Sequence, residues 1–322
     1  MKILVIGAGG QLGRCIYDVV EEIFGTGCLN HEYYFVTHTD LDITNLSSIY
    51  NYLYCHFIPD CIINCAAYTN VEKAEDDIYS AFKVNSLGVK NLVDICEEFN
   101  IMLMHISTDY VYKDKIKSVN EDDDICPLSI YGQSKRDGEI HIINSNLNNW
   151  YIFRTSWLYS EYGNNFLTKI INKFNSYESI FGVIDELGSP TYARKLAEMM
   201  ISIIEDNLYS IQSPYEIPSG IYNFSGLGVC SRYDFVNIIV DGLNDDSLYL
   251  SKKRLGFINP ITQEEANKKW NLKAKRPLHV ILDNSKINKY YDGIRDNWVI
   301  DLGECLNRYD NLEKRKKLNK PL

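Results

Sequence analysis

The sequence predicts a doubly wound α/β fold, a parallel sheet with helices on both faces, joined to a smaller lobe. Three observations predict it. Short all-apolar runs alternate with longer helix-period segments through the first half, a glycine-rich turn follows the first run, and the alternation loosens after Arg154. A strand buried on both faces reads as a continuous apolar run, and parallel neighbours need a crossover helix between them. The length of 322 residues suits one large domain with an attached lobe.

Taken in order, strand-like runs fall at 3–6, 33–37, 61–64, 102–107 and 150–154. Helix-period segments lie near 11–24, 46–56, 79–99 and 129–145. Residues 1–155 therefore read as the sheet domain and 156–300 as the smaller lobe, interleaved with the last sheet elements. Turn signals at Gly163-Asn164-Asn165, Gly188-Ser189-Pro190 and Pro218-Ser219-Gly220 divide the lobe into short elements. Residues 301–322 read as a polar C-terminal tail, whose basic run Lys314-Arg315-Lys316-Lys317 is a solvated helix end.

Composition narrows the function classes. A net charge of −10 argues against a nucleic-acid partner, which needs a basic surface. It leaves room for a small phosphorylated ligand bound at a helix terminus. No apolar stretch approaches the roughly 20 residues that span a bilayer, and the opening apolar run is too short for a secretory leader. The nine cysteines form no CxxC pair or Cys/His ligand spacing. They read as reduced core thiols of a cytoplasmic protein.

Gly7-Ala8-Gly9-Gly10-Gln11-Leu12-Gly13 follows the first strand and opens a helix. Glycines at 7, 10 and 13 give GxxGxxG, which permits a tight turn, close backbone approach to a pyrophosphate and close helix–strand packing. The helix N-terminus adds unpaired N–H groups and partial positive charge. The bland alternative is a glycine-rich turn without ligand; its place after an N-terminal strand favours the NAD(P)-binding reading. At the second strand's end, Thr37-His38-Thr39 offers no acid until Asp40. A carboxylate there would bond a ribose 2′-OH, so its absence favours NADPH, with NADH the alternative. Asp42-Ile43 is placed to meet the adenine or, equally, to form an N-cap-like turn.

Tyr131-Gly132-Gln133-Ser134-Lys135 sets a phenol and an ammonium on one helix face. A free phenol titrates near 10, and a neighbouring ammonium favours the phenolate, so the lysine reads as an activating partner. Two other YxxxK pairs, Tyr79/Lys83 and Tyr249/Lys253, read as coincidental. Only Tyr131 follows a hydroxyl at the end of a buried strand, Ser107-Thr108-Asp109, where open α/β sheets bind ligands.

These residues resemble the extended short-chain dehydrogenases and, within them, the dTDP-4-dehydrorhamnose reductases. The resemblance spans nearly the whole chain. It rests on Gly7 to Gly13, Asn64-Cys65-Ala66-Ala67-Tyr68-Thr69 with Val71-Glu72-Lys73-Ala74-Glu75, and Ser107-Thr108-Asp109-Tyr110-Val111-Tyr112. It continues through Tyr131 to Lys135, Arg154-Thr155-Ser156-Trp157-Leu158-Tyr159, Gly163-Asn164-Asn165-Phe166, Gly188-Ser189-Pro190-Thr191 and Arg276-Pro277.

The resemblance implies reduction of the C4 ketone of dTDP-4-dehydro-L-rhamnose to dTDP-L-rhamnose, with NAD(P)H as hydride donor. Tyr131 would protonate the oxygen, Thr108 would polarise it, and Lys135 would hold the nicotinamide ribose. Gly10-Gln11-Leu12 and Ala66-Ala67-Tyr68 would be cofactor contacts. Asp109, Trp157, Thr69 and Val71 would line the sugar site, with a core aromatic as the plainer reading of Trp157.

Some members of the family dimerise around magnesium held by glutamates. The matching positions here are Cys15 and Arg194, neither a magnesium ligand, so the expected state is a monomer or a dimer without a bridging metal. The family's Asp-Gln before Gly-x-Pro-Thr reads Asp185-Glu186, an added carboxylate beside the sugar site. Competing readings are a sibling 4-ketoreductase for a UDP sugar or another epimer, a dehydratase or epimerase of the same fold, and a non-catalytic regulatory subunit resembling that of methionine adenosyltransferase.

Overall fold

The computed structural model describes residues 1–24, 31–115, 117–209, 217–244 and 258–318. Its centre is a six-stranded, all-parallel sheet. The strands are β1 (Lys2–Ile6), β2 (Glu32–Val36), β3 (Cys61–Asn64), β4 (Met102–Thr108), β5 (Trp150–Thr155) and β6 (Gly220–Asn223). Their order is β6-β5-β4-β3-β1-β2, so the winding reverses at β1, which pairs with both β2 and β3. A crevice opens at such a reversal, beyond the carboxyl ends of the strands.

Period-two alternation sorts each strand between two cores. Ile3, Val5, Cys61, Ile63, Met102, Met104, Tyr151 and Phe153 face one side. There they pack on helix α1 (Gln11–Phe24) and on Leu196, Met199, Met200 and Ile203, which lie on the long helix Ala193–Tyr209. Leu4, Ile6, Ile62, Leu103 and Ile152 face the other. They meet α2 (Leu46–Cys55), α3 (Gly88–Phe99) and α4 (Ile130–Ile143). Covering both faces is what allows strands this uniformly apolar.

The expected helix at 79–99 is broken into Ile78–Phe82, a π-helical turn Lys83–Leu87, and α3, and an unexpected short helix, Val71–Asp76, precedes them. The π turn buries Asn85 and Ser86, side chains that a regular apolar stripe would not have placed inward.

The smaller lobe has its own core, in which Tyr159, Leu167, Ile171, Phe174, Phe235 and Ile239 meet Trp298, Leu302, Cys305 and Leu306. The last four correct the reading of 301–322 as a polar tail. They lie on one helix, Trp298–Leu318, whose first turns are buried and whose basic end is solvated. Polar residues dominate that helix, and their number hid an apolar stripe only one residue wide per turn. The sheet also reaches further than residue 155, because β6 pairs with β5 across the whole intervening lobe. The eight described cysteines are free, and no helix among the described residues is long and apolar enough to cross a membrane.

Candidate active site

Gly7 leaves β1 with a positive φ of 83°, a conformation that favours glycine. A Cβ there would lie 2.7 Å from Ala66 N, and one on Gly13 would lie 2.6 Å from Ala8 Cα. The N–H groups of Gly7 and Ala8 both donate to Val36 O, each at 3.0 Å, which pins the turn over the end of β2. The glycines therefore do what their spacing predicts, and the 14-residue α1 begins over the reversal point. Gln11 donates to Leu158 O at 3.3 Å, so this turn also touches the smaller lobe. Leu12 is turned into the core, which leaves only its backbone to meet a ligand.

The end of β2 departs from expectation. Asp40 folds back so that its Oδ2 accepts from Thr37 N at 2.8 Å and from Thr37 Oγ1 at 2.6 Å. Those hydrogen bonds hold its carboxyl below the usual range, so a charged acid does stand at this strand end. His38 is exposed beside it. Asp42 forms a local turn, accepting from Thr44 N and Oγ1, while Asn45 is the residue that caps α2. Ile43 is buried against Gly88, where a Cβ would come within 2.8 Å of it.

Beyond β3, Ala66, Ala67 and Tyr68 are half-buried, and Asn85 fastens this stretch to α4. Its side chain accepts from Tyr68 N at 2.8 Å and donates to Tyr68 O and to Ser134 Oγ, each at 3.0 Å. The Tyr68 hydroxyl is buried without a partner among the described residues. Thr69 is exposed, and Val71, half-buried, starts the short helix capped by Asn70.

Thr108 ends β4 and Tyr131 opens the first turn of α4, which Ser129 caps through Gly132 N. Glu75 reaches across to accept from Ile130 N at 2.9 Å. A Cβ on Gly132 would lie 2.4 Å from Tyr110 O, so glycine lets α4 sit close enough to β4 for Tyr131 to meet Thr108. Thr108 lies close enough to Tyr131 to draw its phenol down. Burial, opposed by Thr108 and reinforced by Asp109, pushes the phenol up to about 12. Thr108 Oγ1 donates to Asp109 Oδ1 at 3.0 Å. Burial carries the Asp109 carboxyl up to about 7, against the pull of Thr108 and Arg232.

Lys135 is not placed as its i,i+4 spacing suggests. Its Nζ donates to Ile106 O at 2.5 Å and lies 3.3 Å from His105 Nε2, and the groups acting on Tyr131 are Thr108 and Asp109 instead. Burial draws the lysine down to about 8. A lysine side chain is long enough to cross to the strand below, and the carbonyl there is the nearer acceptor. Of the other YxxxK pairs, Tyr79 is exposed on the helix Ile78–Phe82, and Tyr249/Lys253 lies outside the described residues.

Trp157 follows β5 with φ +45°, a strained conformation for a bulky residue, costing on the order of 1–2 kcal/mol. Two neighbours hold it. A Cβ on Gly188 would lie 2.6 Å from the indole, and the Arg232 guanidinium lies 3.5 Å over its ring. Arg232 is itself fixed by Glu186, at 3.1 Å from Nε. The carboxylate that the sequence singled out at 186 is therefore paired inside a clamp around Trp157. Arg232 carried no signal of its own, since its meaning depends on residues 46 and 75 positions upstream.

A further network braces the floor. Arg154 on β5 meets Glu139 on α4 in a bidentate pair at 2.9 and 2.8 Å, and also donates to Tyr112 Oη at 2.8 Å. Burial raises the Glu139 carboxyl, but Arg154, Ser107 and Arg136 outweigh it and hold the group below its usual value.

The positions matched to the family's metal ligands are differently engaged. Cys15 is buried, and Arg194 pairs with Glu22 at 2.5 Å. No group of three or more His, Cys, Asp or Glu among the described residues is placed to hold a metal ion.

A parallel sheet reversing at a glycine-rich turn, with a hydroxyl, a phenol and an amine at the adjacent strand ends, defines a Rossmann fold of the extended short-chain dehydrogenase/reductase class. A family model described as the RmlD substrate binding domain matches residues 1–311. The dTDP-4-dehydrorhamnose reductase of Aggregatibacter actinomycetemcomitans is 34% identical over 299 residues, 92% of this chain and 95% of that protein. A crystal structure of a dTDP-4-dehydrorhamnose reductase from Clostridium acetobutylicum aligns with a TM-score of 0.81 at 31% identity, covering 96% of this chain and 99% of that one. Another from Bacillus anthracis, in complex with NADP, aligns at 0.79 and 30% identity, covering 94% and 98%. The chain belongs to the dTDP-4-dehydrorhamnose reductase family.

Proposed function

We propose that the protein reduces the C4 ketone of dTDP-4-dehydro-L-rhamnose to dTDP-L-rhamnose with NADPH, NADH being the alternative donor. The observation that carries this reading is the meeting of Thr108 and Tyr131 at the end of β4, one crevice away from the glycine turn. The crevice suits a dinucleotide: Gly7 and Gly13 admit backbone where a Cβ would clash, and the Tyr68 hydroxyl waits for a partner. When bound, the dihydronicotinamide supplies hydride to C4.

The side chains do the rest. Tyr131, its phenol held protonated by burial, gives its proton to the C4 oxygen. Thr108 donates to the same oxygen as negative charge develops, turning its hydrogen away from Asp109. Lys135 holds the nicotinamide ribose, and Trp157 with Asp109 walls the sugar. Thr69 and Val71 lie at the outer edge of that site. A cytoplasmic setting accords with the free thiols among the described cysteines, and the reaction is carried out by a monomer or by a dimer that needs no metal.

The direct test is NADPH oxidation with the dTDP-4-keto sugar supplied by a coupled dehydratase and epimerase, with product stereochemistry read by NMR. Turnover of a UDP sugar in preference, a different epimer, or no turnover in the presence of a co-purifying enzyme would overturn the reading.

Two expectations follow from the site's edges. Alanine at Gly188 pushes on the indole, so KM for the sugar nucleotide should rise about tenfold while KM for NADPH stays within about twofold. Steady-state kinetics with each substrate varied separate the two. Asp40 opposes a 2′-phosphate from the end of β2, so Asp40→Asn should raise the kcat/KM ratio of NADPH over NADH about fivefold. An unchanged ratio would mean that the carboxylate does not face the ribose.

A further inference from the structure

The hydrogen bonds behind Lys135 fix more than its position. Ala66 N donates to Asn64 Oδ1 at 3.1 Å, which orients the Asn64 amide. Its Nδ2 then faces His105 Nδ1, also at 3.1 Å. An amide NH2 only donates, so Nδ1 accepts, and a neutral imidazole must carry its proton on Nε2. Neutral is the form imposed here, since burial alone holds the His105 imidazole below its ordinary value. That Nε2–H points at Lys135 Nζ, 3.3 Å away.

An ammonium in this place sets donor against donor, because its nitrogen has no lone pair. A neutral amine has one and accepts from Nε2–H, while one of its own hydrogens goes to Ile106 O. Moving the histidine proton does not relieve the conflict. With Nδ1–H, the Asn64 amide must turn its oxygen to His105, and its NH2 then confronts the Ala66 N–H.

We propose that Asn64 and His105 favour the neutral amine of Lys135 in the cofactor-free protein, and that in mildly alkaline solution binding a pyridine nucleotide takes up a proton at Lys135. This rests on the reading of Lys135 as the ribose contact. A ribose hydroxyl set against Nζ draws it away from Nε2–H and frees the nitrogen lone pair. A proton from solvent closes on that lone pair, and the resulting ammonium donates to the ribose and to Ile106 O. Above about pH 8 the positive charge at Lys135 is thereby raised when a cofactor binds.

The other groups facing Lys135 are consistent with this state. Cys65, after β3, is pushed up to about 12 by burial and stays a thiol. Tyr131, one turn back on α4, stays a phenol. Glu139, one turn on, favours the charged lysine, but its carboxylate is committed to Arg154. Burial outweighs these charges and leaves Lys135 at about 8.

The experiment uses protein carrying 13Cε-lysine, with the Lys135 resonance assigned by its loss in Lys135→Arg. The expected midpoint is about 8 in the free protein and above about 10 with saturating NADPH. Calorimetry of NADPH binding at pH 9, in buffers of different ionisation enthalpy, should report uptake of about 0.8 proton. In His105→Gln, whose side-chain carbonyl accepts from an ammonium, the free midpoint should rise above about 9 and the uptake should fall by half or more. A free-protein midpoint above 10, or binding without buffer dependence, overturns the proposal while leaving the ribose contact standing. Absence of NADPH binding overturns the cofactor reading instead, and the wild-type titration still judges the Asn64–His105 pair. If the glutamine variant does not fold, the same titration decides.

Discussion

Phenylalanine at position 131 is expected to lower kcat by about 100- to 10,000-fold, with NADPH affinity changed by less than about twofold. The ring remains to pack against Tyr110, whose centroid lies 5.6 Å away, so the helix and the crevice keep their shape. What is lost is the proton. In the wild type the phenol sits at about 12 and is charged with its proton throughout the neutral range. Thr108 is too weak an acid to replace it. Asp109, next in the hydrogen-bond line and raised to about 7, holds a proton only below that pH. Residual turnover in the variant should therefore increase as pH falls through about 7, where the wild type shows no such rise. Pre-steady-state turnover and fluorescence titration with NADPH separate chemistry from binding. Near-wild-type turnover would remove Tyr131 from the reaction.

The second large effect is on stability. Glu139→Gln should destabilise the fold by about 3–5 kcal/mol, because it leaves the Arg154 guanidinium buried without its counter-charge. Both side chains are essentially inaccessible, so solvent cannot take over the lost pairing. In a chain of this length that corresponds to a fall in melting temperature on the order of 10 °C. The damage should reach the site as well, since Glu139 lies on the helix that carries Tyr131 and Lys135. Replacing both partners, Glu139→Gln with Arg154→Met, should recover part of the loss by removing the orphaned charge. Thermal unfolding of the two singles and the double tests this. A single-variant loss below about 1 kcal/mol would make the pair behave like a surface ion pair.

What the sequence disclosed and what it hid divide by range. Gly7, Gly13 and Tyr131 were legible because a turn's φ requirement and a first-turn position are written within a few residues. The same is true of the five early strands, whose apolar runs need no partner to be recognised. Lys135 misled for the opposite reason. Spacing put it beside Tyr131, yet its partners, His105 and Ile106, lie about 30 residues away on β4. Asp40 was three residues from Thr37 and its fold-back was readable as a local turn; the strand-end rule simply stopped counting too early. Arg232 and Glu186 become a clamp only once the smaller lobe folds over Trp157. The helix Trp298–Leu318 was masked by its own polar majority.

The position of β6 bears on the order in which the protein can be made. Its residues, 220–223, leave the ribosome well after those of β5, to which they pair. Until then the nascent sheet ends in an open edge at Trp150–Thr155, the same strand that carries Arg154 toward Glu139 and leads into Trp157. An unpaired, largely apolar edge is a template for pairing with another chain. The first half alone is therefore a hazardous fragment, and chains stopped near residue 155 should aggregate where full-length chains do not. Removal of that hazard waits on a late event of synthesis, the arrival of Gly220–Asn223 beside Trp150–Thr155.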